Sequence, residues 1–274
     1  MARSNLNSAR IKPRTSELLV LRVLRRERLS PHFARVTLGG GDIERFTPMG
    51  YDQWFRLFLP VSANSLTRLP PRLTTLSYAR FLTISKTDRP VLRNYSVRAY
   101  RPSGPEGPEI DVDFVLHGSA ADGTAGPAAT WAETCAPGDS VALIDEGIGF
   151  NPPPGTRRVV LAADESGLPA LAGILASLPA DARGHALAEI PSAQDRQPLD
   201  HPEGVEVSWI VRDDPGAVPG AAALAAAQAL PVPEEPCYGW VVGESELPVR
   251  LRRHWVRAGM PKEHIMFCGY WRHH

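Results

Sequence analysis

The sequence predicts two domains, an antiparallel β-barrel followed by a parallel α/β domain. Three observations predict this fold class. The first half has short strand-like segments between clusters of Gly, Pro, Asp and Ser, the second half alternates strand-like with helix-like segments, and a proline run at residues 151–155 lies between them. Because a proline run stiffens a connection and stops secondary structure, we expect a barrel domain over residues 17–151 and an α/β domain over 152–274. Residues 1–16 are polar and basic, so we expect a flexible arm there.

Strand signals in the first half are short and regularly spaced. The predicted strands cover residues 18–23, 34–38, 54–59, 93–100 and 110–116. Short strands with turn signals between them are typical of an antiparallel barrel or sandwich. The stretch over residues 61–89 is rich in Pro, Ser, Thr and Arg, so we expect a loop there that covers the barrel or carries one short helix.

The second half changes to alternating strands and helices. Strands are predicted at residues 158–163, 185–190, 205–211, 238–242 and 265–268, and helices at 168–177, 221–230 and 248–258. This alternation predicts a parallel sheet with helical crossovers.

Composition excludes several functional classes. The chain of 274 residues is 43% hydrophobic with a net charge of zero, which argues against a general nucleic-acid surface. Its three cysteines, Cys135, Cys237 and Cys268, lie too far apart for a zinc ribbon or a thioredoxin-type site. The longest apolar stretch, residues 221–230, is too short to span a bilayer, and the N-terminus lacks the apolar core of a signal peptide. We therefore expect a soluble, cytoplasmic protein without nucleic-acid or membrane partners.

The segment over residues 93–98 is the most informative in the chain. On a strand, Arg93 and Tyr95 share one face, so a phenol can lie against a flat ring while a guanidinium two residues earlier reaches a phosphate. Ser96 adds a hydroxyl beside them. A flavin dinucleotide needs these three groups. The alternative is an ordinary half-buried strand with solvated arginines.

A second motif follows at the end of the next strand. His117 and Gly118 end this strand, and Gly126, Pro127 and Ala128 then open a helix. A helix start with Pro in its first turn presents unpaired backbone N–H groups at the positive end of the helix dipole, which favours a pyrophosphate. The alternatives are a plain helix start and a structural histidine at a strand end.

In their order and spacing, these segments resemble the siderophore-interacting protein family, the FAD-containing, NAD(P)H-linked ferric-siderophore reductases of the ferredoxin-reductase-like superfamily. The resemblance runs through most of the chain. The segments that carry it are residues 30–40, 52–60, 93–98, 113–118, 126–132, 163–170, 240–244 and 269–272.

The resemblance implies a FAD site in the first domain. Its residues would be Arg93, Tyr95, Ser96, Val97, Arg98, Asp113, His117, Gly126, Pro127, Ala128 and Trp131. By this resemblance, Arg93 holds the pyrophosphate, Tyr95 stacks on the isoalloxazine and Ser96 lies near its N5. His117 and residues 126–128 would bind the phosphate and adenosine side, whereas Trp131 is equally explained as a core aromatic. Ala129 stands where the family often has serine.

The resemblance also implies an NADPH or NADH site in the second domain. Its residues would be Asp164, Glu165, Ser166, Leu168, Pro169, Gly243, Glu244 and Trp271. No G-x-G-x-x-G follows the first strand of this domain, so the Rossmann fingerprint is absent. Ala163 replaces the family's first glycine, and Ser166-Gly167 replaces Thr-Ala, which leaves the choice between NADH and NADPH open.

The function implied by the resemblance is FAD-dependent reduction of a ferric siderophore, at a cleft between the two domains, with release of Fe(II). Arg56 is the candidate for binding an anionic siderophore, and a solvated strand arginine is the alternative. The siderophore supplies the iron ligands, so no protein metal site is expected. Two other functions stay open: a general flavin reductase or electron transferase, and a siderophore-binding flavoprotein that takes electrons from ferredoxin. The identity of the siderophore and the oligomeric state are not predicted.

Overall fold

The protein divides into two compact units in a computed structural model, which describes residues 4–118, 123–214, 216–231 and 235–273. Residues 12–49 and 53–147 form the first, which we call the barrel unit. The remaining described residues form the α/β unit, which therefore includes residues 50–52. Asp52 explains this assignment, since its carboxylate accepts hydrogen bonds from the N–H groups of Gly149 and Phe150 and from Trp240 Nε1.

The described part of the barrel unit contains one sheet of seven antiparallel strands. They are β1 (Leu18–Ser30), β2 (Phe33–Gly39), β3 (Trp54–Leu59), β4 (Val91–Ser96), β5 (Ala99–Gly104), β6 (Gly107–Val115) and β7 (Ser140–Gly147). Their order across the sheet is β4-β3-β7-β1-β2-β6-β5. Two helices belong to the same unit, α2 (Thr75–Leu82) and α3 (Pro127–Thr134).

The order of the strands requires the sheet to curve. Its two edge strands, β4 and β5, are joined by Val97 and Arg98 alone. Seven strands laid flat would separate these edges by about 29 Å, whereas this link spans about 11 Å at most. Consistent with curvature, Val97 N–H donates to Gln53 O beside β3, and Arg98 N–H donates to Asp111 O on β6.

The structure corrects two expectations for the barrel unit. The strand predicted at residues 93–100 is two strands, because the chain leaves β3 and joins β6 at Val97 and Arg98. Strand β7 was not predicted. It lies between β3 and β1 and is buried over nearly its whole length, so its residues show no polar-apolar alternation that would mark a strand.

The α/β unit contains a parallel sheet, as predicted. Its strands are β8 (Arg158–Ala163), β9 (Arg183–Ile190), β10 (Val205–Val211), β11 (Cys237–Glu244) and β12 (Ile265–Trp271), and its longer helices are α4 (Leu168–Ser177), α5 (Ala221–Ala229) and α6 (Glu246–Arg257). The strand order is β10-β9-β8-β11-β12. The chain thus changes direction across the sheet between β8 and β11, and ligands of such sheets bind outside the carboxyl ends of the strands at that point.

The segment before residue 12 differs from the expected loose arm. A short helix, α1 (Leu6–Ala9), follows Asn5, whose side chain donates to Ile265 O at 2.7 Å and accepts from Phe267 N–H at 3.0 Å. Ile11 forms a bridge with Ile148. These contacts attach the segment to the α/β unit. In the described ranges, no helix combines the length and the hydropathy needed to cross a bilayer.

Candidate functional site

Tyr95 is the centre of the candidate flavin site in the barrel unit. It lies on the edge strand β4, paired with Phe55 of β3. Its half-buried ring packs on Phe114, with the two centroids 4.4 Å apart, and Phe114 lies 5.6 Å from the ring of Trp131. Burial raises the pKa of Tyr95, which keeps the phenol neutral. The site therefore offers an aromatic ring that is supported from behind.

Arg93 supplies an exposed cation on the same strand. Its Nη1 donates to Leu92 O at 2.8 Å, and no carboxylate of the described ranges pairs with it. Ser96 is buried and pairs with Trp54, so it points to the opposite face from Tyr95. The arrangement fits the predicted cation and ring side by side, while Ser96 offers little surface.

The start of α3 fits an anion. Gly126 caps the helix without any side-chain hydrogen bond, and Pro127 occupies the first helical position. The next two N–H groups, of Ala128 and Ala129, have no intrahelical acceptor. Gly126 and Pro127 are exposed, and an added Cβ at Gly126 would meet no atom within 4 Å, so the approach is open. His117 is also exposed, at the end of β6.

Asp113 does not fit the predicted role of a cofactor contact. Its buried carboxylate accepts from Arg35 Nε at 2.6 Å and Arg35 Nη2 at 2.9 Å, and Arg98 Nε lies 3.6 Å from its Oδ2. Its lone pairs are thus committed within the protein. Arg98 lies beside this carboxylate with little of its side chain exposed, and its predicted role in FAD binding stays a prediction.

Asp113 belongs to a ladder of ion pairs that sequence reasoning missed. The ladder joins Glu109, Asp111 and Asp113 of β6 to Arg25, Arg35, Arg98 and Arg101. Hydrogen bonds from Arg25 and then Arg101 hold the pKa of Glu109 at about 2. The signal in the sequence is the alternation of carboxylates at 109, 111 and 113, which places all three on one face of a strand.

Arg56, the predicted substrate-binding residue, has a carboxylate partner. Its Nε lies 2.7 Å from Glu146 Oε1, and Glu146 is buried on the neighbouring strand β7. Part of the Arg56 side chain stays exposed. The expected cationic wall is therefore partly neutralised at this position.

Asp164 organises the carboxyl ends of three strands in the α/β unit. Its Oδ1 accepts from Ser166 N–H at 2.9 Å and Ser166 Oγ at 2.5 Å, and its Oδ2 accepts from Glu244 N–H at 2.6 Å and Trp271 Nε1 at 3.2 Å. These bonds join β8, β11 and β12 where nucleotides bind such sheets. Burial raises the pKa of Asp164.

Gly243 makes room for this carboxylate. Its φ is +138°, and an added Cβ would lie 2.6 Å from Asp164 Cγ. Any larger residue would displace the carboxylate from the Glu244 N–H group. The sequence predicted that both residues belong to one site. It did not show why residue 243 is glycine.

Most of the predicted nucleotide-binding residues are inaccessible. The buried ones are Asp164, Glu165, Leu168, Pro169, Gly243 and Glu244, whereas Ser166 and Trp271 are partly exposed. The exposed parts of Ser166 and Trp271 are the surfaces that a nucleotide would meet in this conformation, and the six buried residues shape the site around them. Their predicted roles in nucleotide binding stay predictions.

Glu165 belongs to a buried network that includes two residues missed from the sequence. Its Oε2 accepts from Arg212 Nη2 at 2.5 Å, and Arg212 Nε donates to Glu189 Oε1 at 2.9 Å. Glu189 also accepts from the N–H groups of Gly220 and Ala223 at the start of α5. Two carboxylates therefore share one buried guanidinium beside the Asp164 site.

The Glu165 network predicts a pH-dependent stability. Burial, and then the nearby charge of Asp164, raises the pKa of Glu165 from 4.5 to about 7. Because this pKa is raised in the folded protein, the protonated Glu165 contributes fully to the free energy of unfolding below pH 4.5, and the contribution is lost as the pH rises through 7. Glu165→Gln stays neutral and keeps an oxygen for Arg212. The free energy of unfolding of this variant, relative to that of the wild type, should therefore increase between pH 5 and pH 8 by up to about 3 kcal/mol.

Urea unfolding at several pH values measures this difference. Glu203→Gln removes an exposed carboxylate that forms no ion pair in the described ranges and is the control, with no pH-dependent gain expected. A difference between Glu165→Gln and the wild type that stays constant from pH 5 to pH 8 would contradict the prediction.

Comparison with known proteins adds two family matches. Residues 22–148 match the model of the siderophore-interacting FAD-binding domain, and residues 156–274 match that of the siderophore-interacting protein. Together the two matches cover both units.

Individual relatives extend over nearly the whole chain. The ferric vibriobactin reductase ViuB of Vibrio cholerae is 32% identical over 239 residues, which are 85% of this chain and 81% of ViuB. The NADPH-dependent ferric-chelate reductase of Escherichia coli is 28% identical over 262 residues, covering 94% and 93% of the two chains. The crystal structure of a siderophore utilization protein from T. fusca has a TM-score of 0.75 and 28% identity, covering 96% of each chain.

Proposed function

The chain belongs to the siderophore-interacting protein family, and on that premise we propose that it uses FAD to reduce the Fe(III) of a ferric siderophore with electrons from a nicotinamide nucleotide. The observation that supports this most is the half-buried Tyr95, backed by Phe114 at 4.4 Å, with the exposed Arg93 two residues before it on the same strand. A ring supported on one side and a cation beside it suit a flat cofactor that carries a diphosphate.

The residues of the barrel unit fit FAD. Tyr95 would hold the isoalloxazine ring by stacking, and Arg93 would bind the diphosphate. The open start of α3 offers the N–H groups of Ala128 and Ala129 to the same diphosphate. Bound there, FAD would supply the ability to accept two electrons together and to release them singly, which a one-electron acceptor such as Fe(III) requires.

The α/β unit would bind the nucleotide at the carboxyl ends of β8, β11 and β12. Asp164 holds these ends together through the Glu244 N–H and Trp271 Nε1 groups. The exposed parts of Ser166 and Trp271 are the surfaces left for direct contact. We propose NADPH as the donor because a relative that covers nearly the whole chain is named as an NADPH-dependent reductase.

Iron enters as substrate in this proposal. Hard oxygen donors of a siderophore prefer Fe(III), so its reduction weakens the complex and lets Fe(II) leave. The proposal therefore asks for no metal site made of His, Cys, Asp and Glu side chains.

Anaerobic stopped-flow mixing tests the proposal. The purified protein should be yellow, should bleach with NADPH faster than with NADH, and should regain its colour faster with a ferric siderophore than with free flavin. Bleaching by neither nucleotide, but by reduced ferredoxin, would instead indicate the ferredoxin-dependent alternative. Equal reoxidation by siderophore and free flavin would indicate a general flavin reductase, which the partial neutralisation of Arg56 favours.

The role of Arg56 is tested by a pair of variants. Arg56→Glu places two carboxylates together beside β7, so we expect the KM for an anionic ferric siderophore to rise about tenfold, while NADPH oxidation by a small neutral acceptor is unchanged. Glu146→Gln keeps Arg56 and removes its counter-charge, so the same KM should fall. If both variants leave the KM unaltered in steady-state assays, Arg56 does not bind substrate.

A further inference from the structure

The connection from β3 to β4, residues 61–89, is exposed to an unusual degree. We call it the β3–β4 segment. Within it only Ser65 and Phe81 are buried. Seven large apolar side chains are exposed in the described parts of the chain, and four of them lie here: Val61 (49% exposed), Leu76 (77%), Tyr78 (41%) and Leu82 (48%). Contiguous exposed apolar surface is typical of interaction sites.

Helix α2 in this segment is a built element with one anchored side. The Ser77 N–H group donates to Thr74 Oγ1 at 3.2 Å, and the Thr74 N–H group donates to Ser77 Oγ at 2.7 Å, which together form a capping box. Phe81 fixes the helix through an edge contact with Phe58, with ring centroids 5.7 Å apart. The local hydrogen bonds therefore hold the helix although most of its surface is exposed.

Leu76 and Leu82 share one side of this helix, whereas the ring of Tyr78 stacks on Phe81 with centroids 6.0 Å apart. Leu76, Ala79 and Leu82 follow at a spacing of three and lie away from Phe81, and all three are exposed. An ordinary surface helix turns such a stripe toward the core. In α2 the stripe faces outward, so these side chains can be buried only by a binding partner.

The charge of the segment indicates the kind of partner that would cover the stripe. The β3–β4 segment carries five cations, Arg68, Arg72, Arg80, Lys86 and Arg89, and a single carboxylate, Asp88, in a chain whose net charge is zero. Asp88 accepts a hydrogen bond from Ser62, and Arg72 pairs with Glu17. Arg68, Arg80 and Lys86 form no ion pair in the described ranges. The exposed apolar side chains thus lie in a segment with an excess of positive charge.

We propose that the β3–β4 segment docks on the surface of a bilayer that contains anionic lipid. Leu76 and Leu82 would enter the boundary between headgroups and acyl chains, and the cations would pair with lipid phosphates. Two copies of the segment would bring like charges together, which disfavours self-association. The expectation of no membrane partner was based on the lack of a membrane-spanning stretch, and binding to a membrane surface does not require such a stretch.

Vesicle sedimentation tests the proposal with the FAD-loaded protein. The wild type should bind vesicles of phosphatidylglycerol and phosphatidylcholine, should bind pure phosphatidylcholine weakly, and should be released by salt. Leu76→Ser with Leu82→Ser should lower the partition coefficient about tenfold or more. Val218→Ser, which changes an exposed apolar residue of the α/β unit, should have no effect.

A second double variant separates charge from apolar contact. Arg80→Glu with Lys86→Glu keeps the apolar side chains and should remove the preference for phosphatidylglycerol. Flavin content and circular dichroism show whether each variant is folded. Helix α6 carries another basic stripe, so Arg253→Glu with Arg257→Glu makes the same change of charge, is the matched control and should bind like the wild type.

Four outcomes would each overturn the proposal. They are no binding of the wild type to either vesicle at low salt, unchanged binding by both β3–β4 double variants, loss of binding by the α6 variant instead, and a dimer in sizing experiments that Leu76→Ser with Leu82→Ser dissolves while no vesicle is bound. None of these results depends on reductase activity, so the vesicle experiments test membrane docking independently of the proposed function.

Discussion

Replacing Tyr95 by alanine should strip the protein of most of its flavin. Stacking of a base on an aromatic side chain contributes about 1–3 kcal/mol, so we expect the Kd for FAD to rise about ten- to a hundredfold. The alanine variant also removes the ring that packs on Phe114. Flavin content after purification and a fluorescence titration of the apoprotein with FAD measure the effect.

Tyr95→Phe is the matched control for this prediction. It keeps the ring and loses only the hydroxyl, so flavin binding should stay within about threefold of the wild type if stacking is the main contribution. An alanine variant with the flavin content and absorption spectrum of the wild type would contradict the assignment of Tyr95. A phenylalanine variant as defective as alanine would instead indicate that the hydroxyl carries the binding.

Replacing Gly243 by alanine should damage the nucleotide site and leave the flavin site intact. The added Cβ would lie 2.6 Å from Asp164 Cγ on a backbone with φ of +138°. The chain must shift to relieve this collision, and we expect a loss of about 3–5 kcal/mol in the free energy of unfolding. The shift also breaks the bond from Glu244 N–H to Asp164, so the KM for NADPH should rise at least about tenfold.

Gly259→Ala separates the collision from the backbone conformation. Gly259 has φ of +99° and nothing within 4 Å of an added Cβ, so its replacement should cost only about 1–2 kcal/mol and leave the KM for NADPH unchanged. Denaturant unfolding, flavin content and steady-state kinetics are compared for both variants. Equal destabilisation by the two substitutions, or a normal KM for NADPH in Gly243→Ala, would contradict the role given to Gly243.

Local patterns predicted most of the α/β unit. The strand at Val205–Val211 and the helix at Leu168–Ser177 have the predicted bounds, because apolar periodicity and the flanking turn residues are local signals. Strand β7 was missed for the converse reason. It is central in its sheet and buried along nearly its whole length, and a continuous apolar run does not distinguish a strand from a short helix.

The candidate flavin site was predicted less evenly. Arg93 is exposed beside a supported Tyr95 ring, in agreement with the pattern of residues 93–98. The pairing of Asp113 was not predicted, since its partner Arg35 comes from another strand far away in the sequence. A motif identifies which residue types occur together, but not which of them another part of the chain has already paired.

The sequence by itself determined the strands and helices of the α/β unit, the helix start at Pro127 and the order of motifs that identifies the family, because each depends on residues close together in the chain. Only the tertiary structure decided that Arg56 pairs with Glu146, that Glu165 is buried with Arg212, and that Gly243 leaves room for Asp164. The physical reason is that burial and ion pairing depend on the distance between side chains from separate strands. Sheet order sets that distance, and no local pattern encodes it.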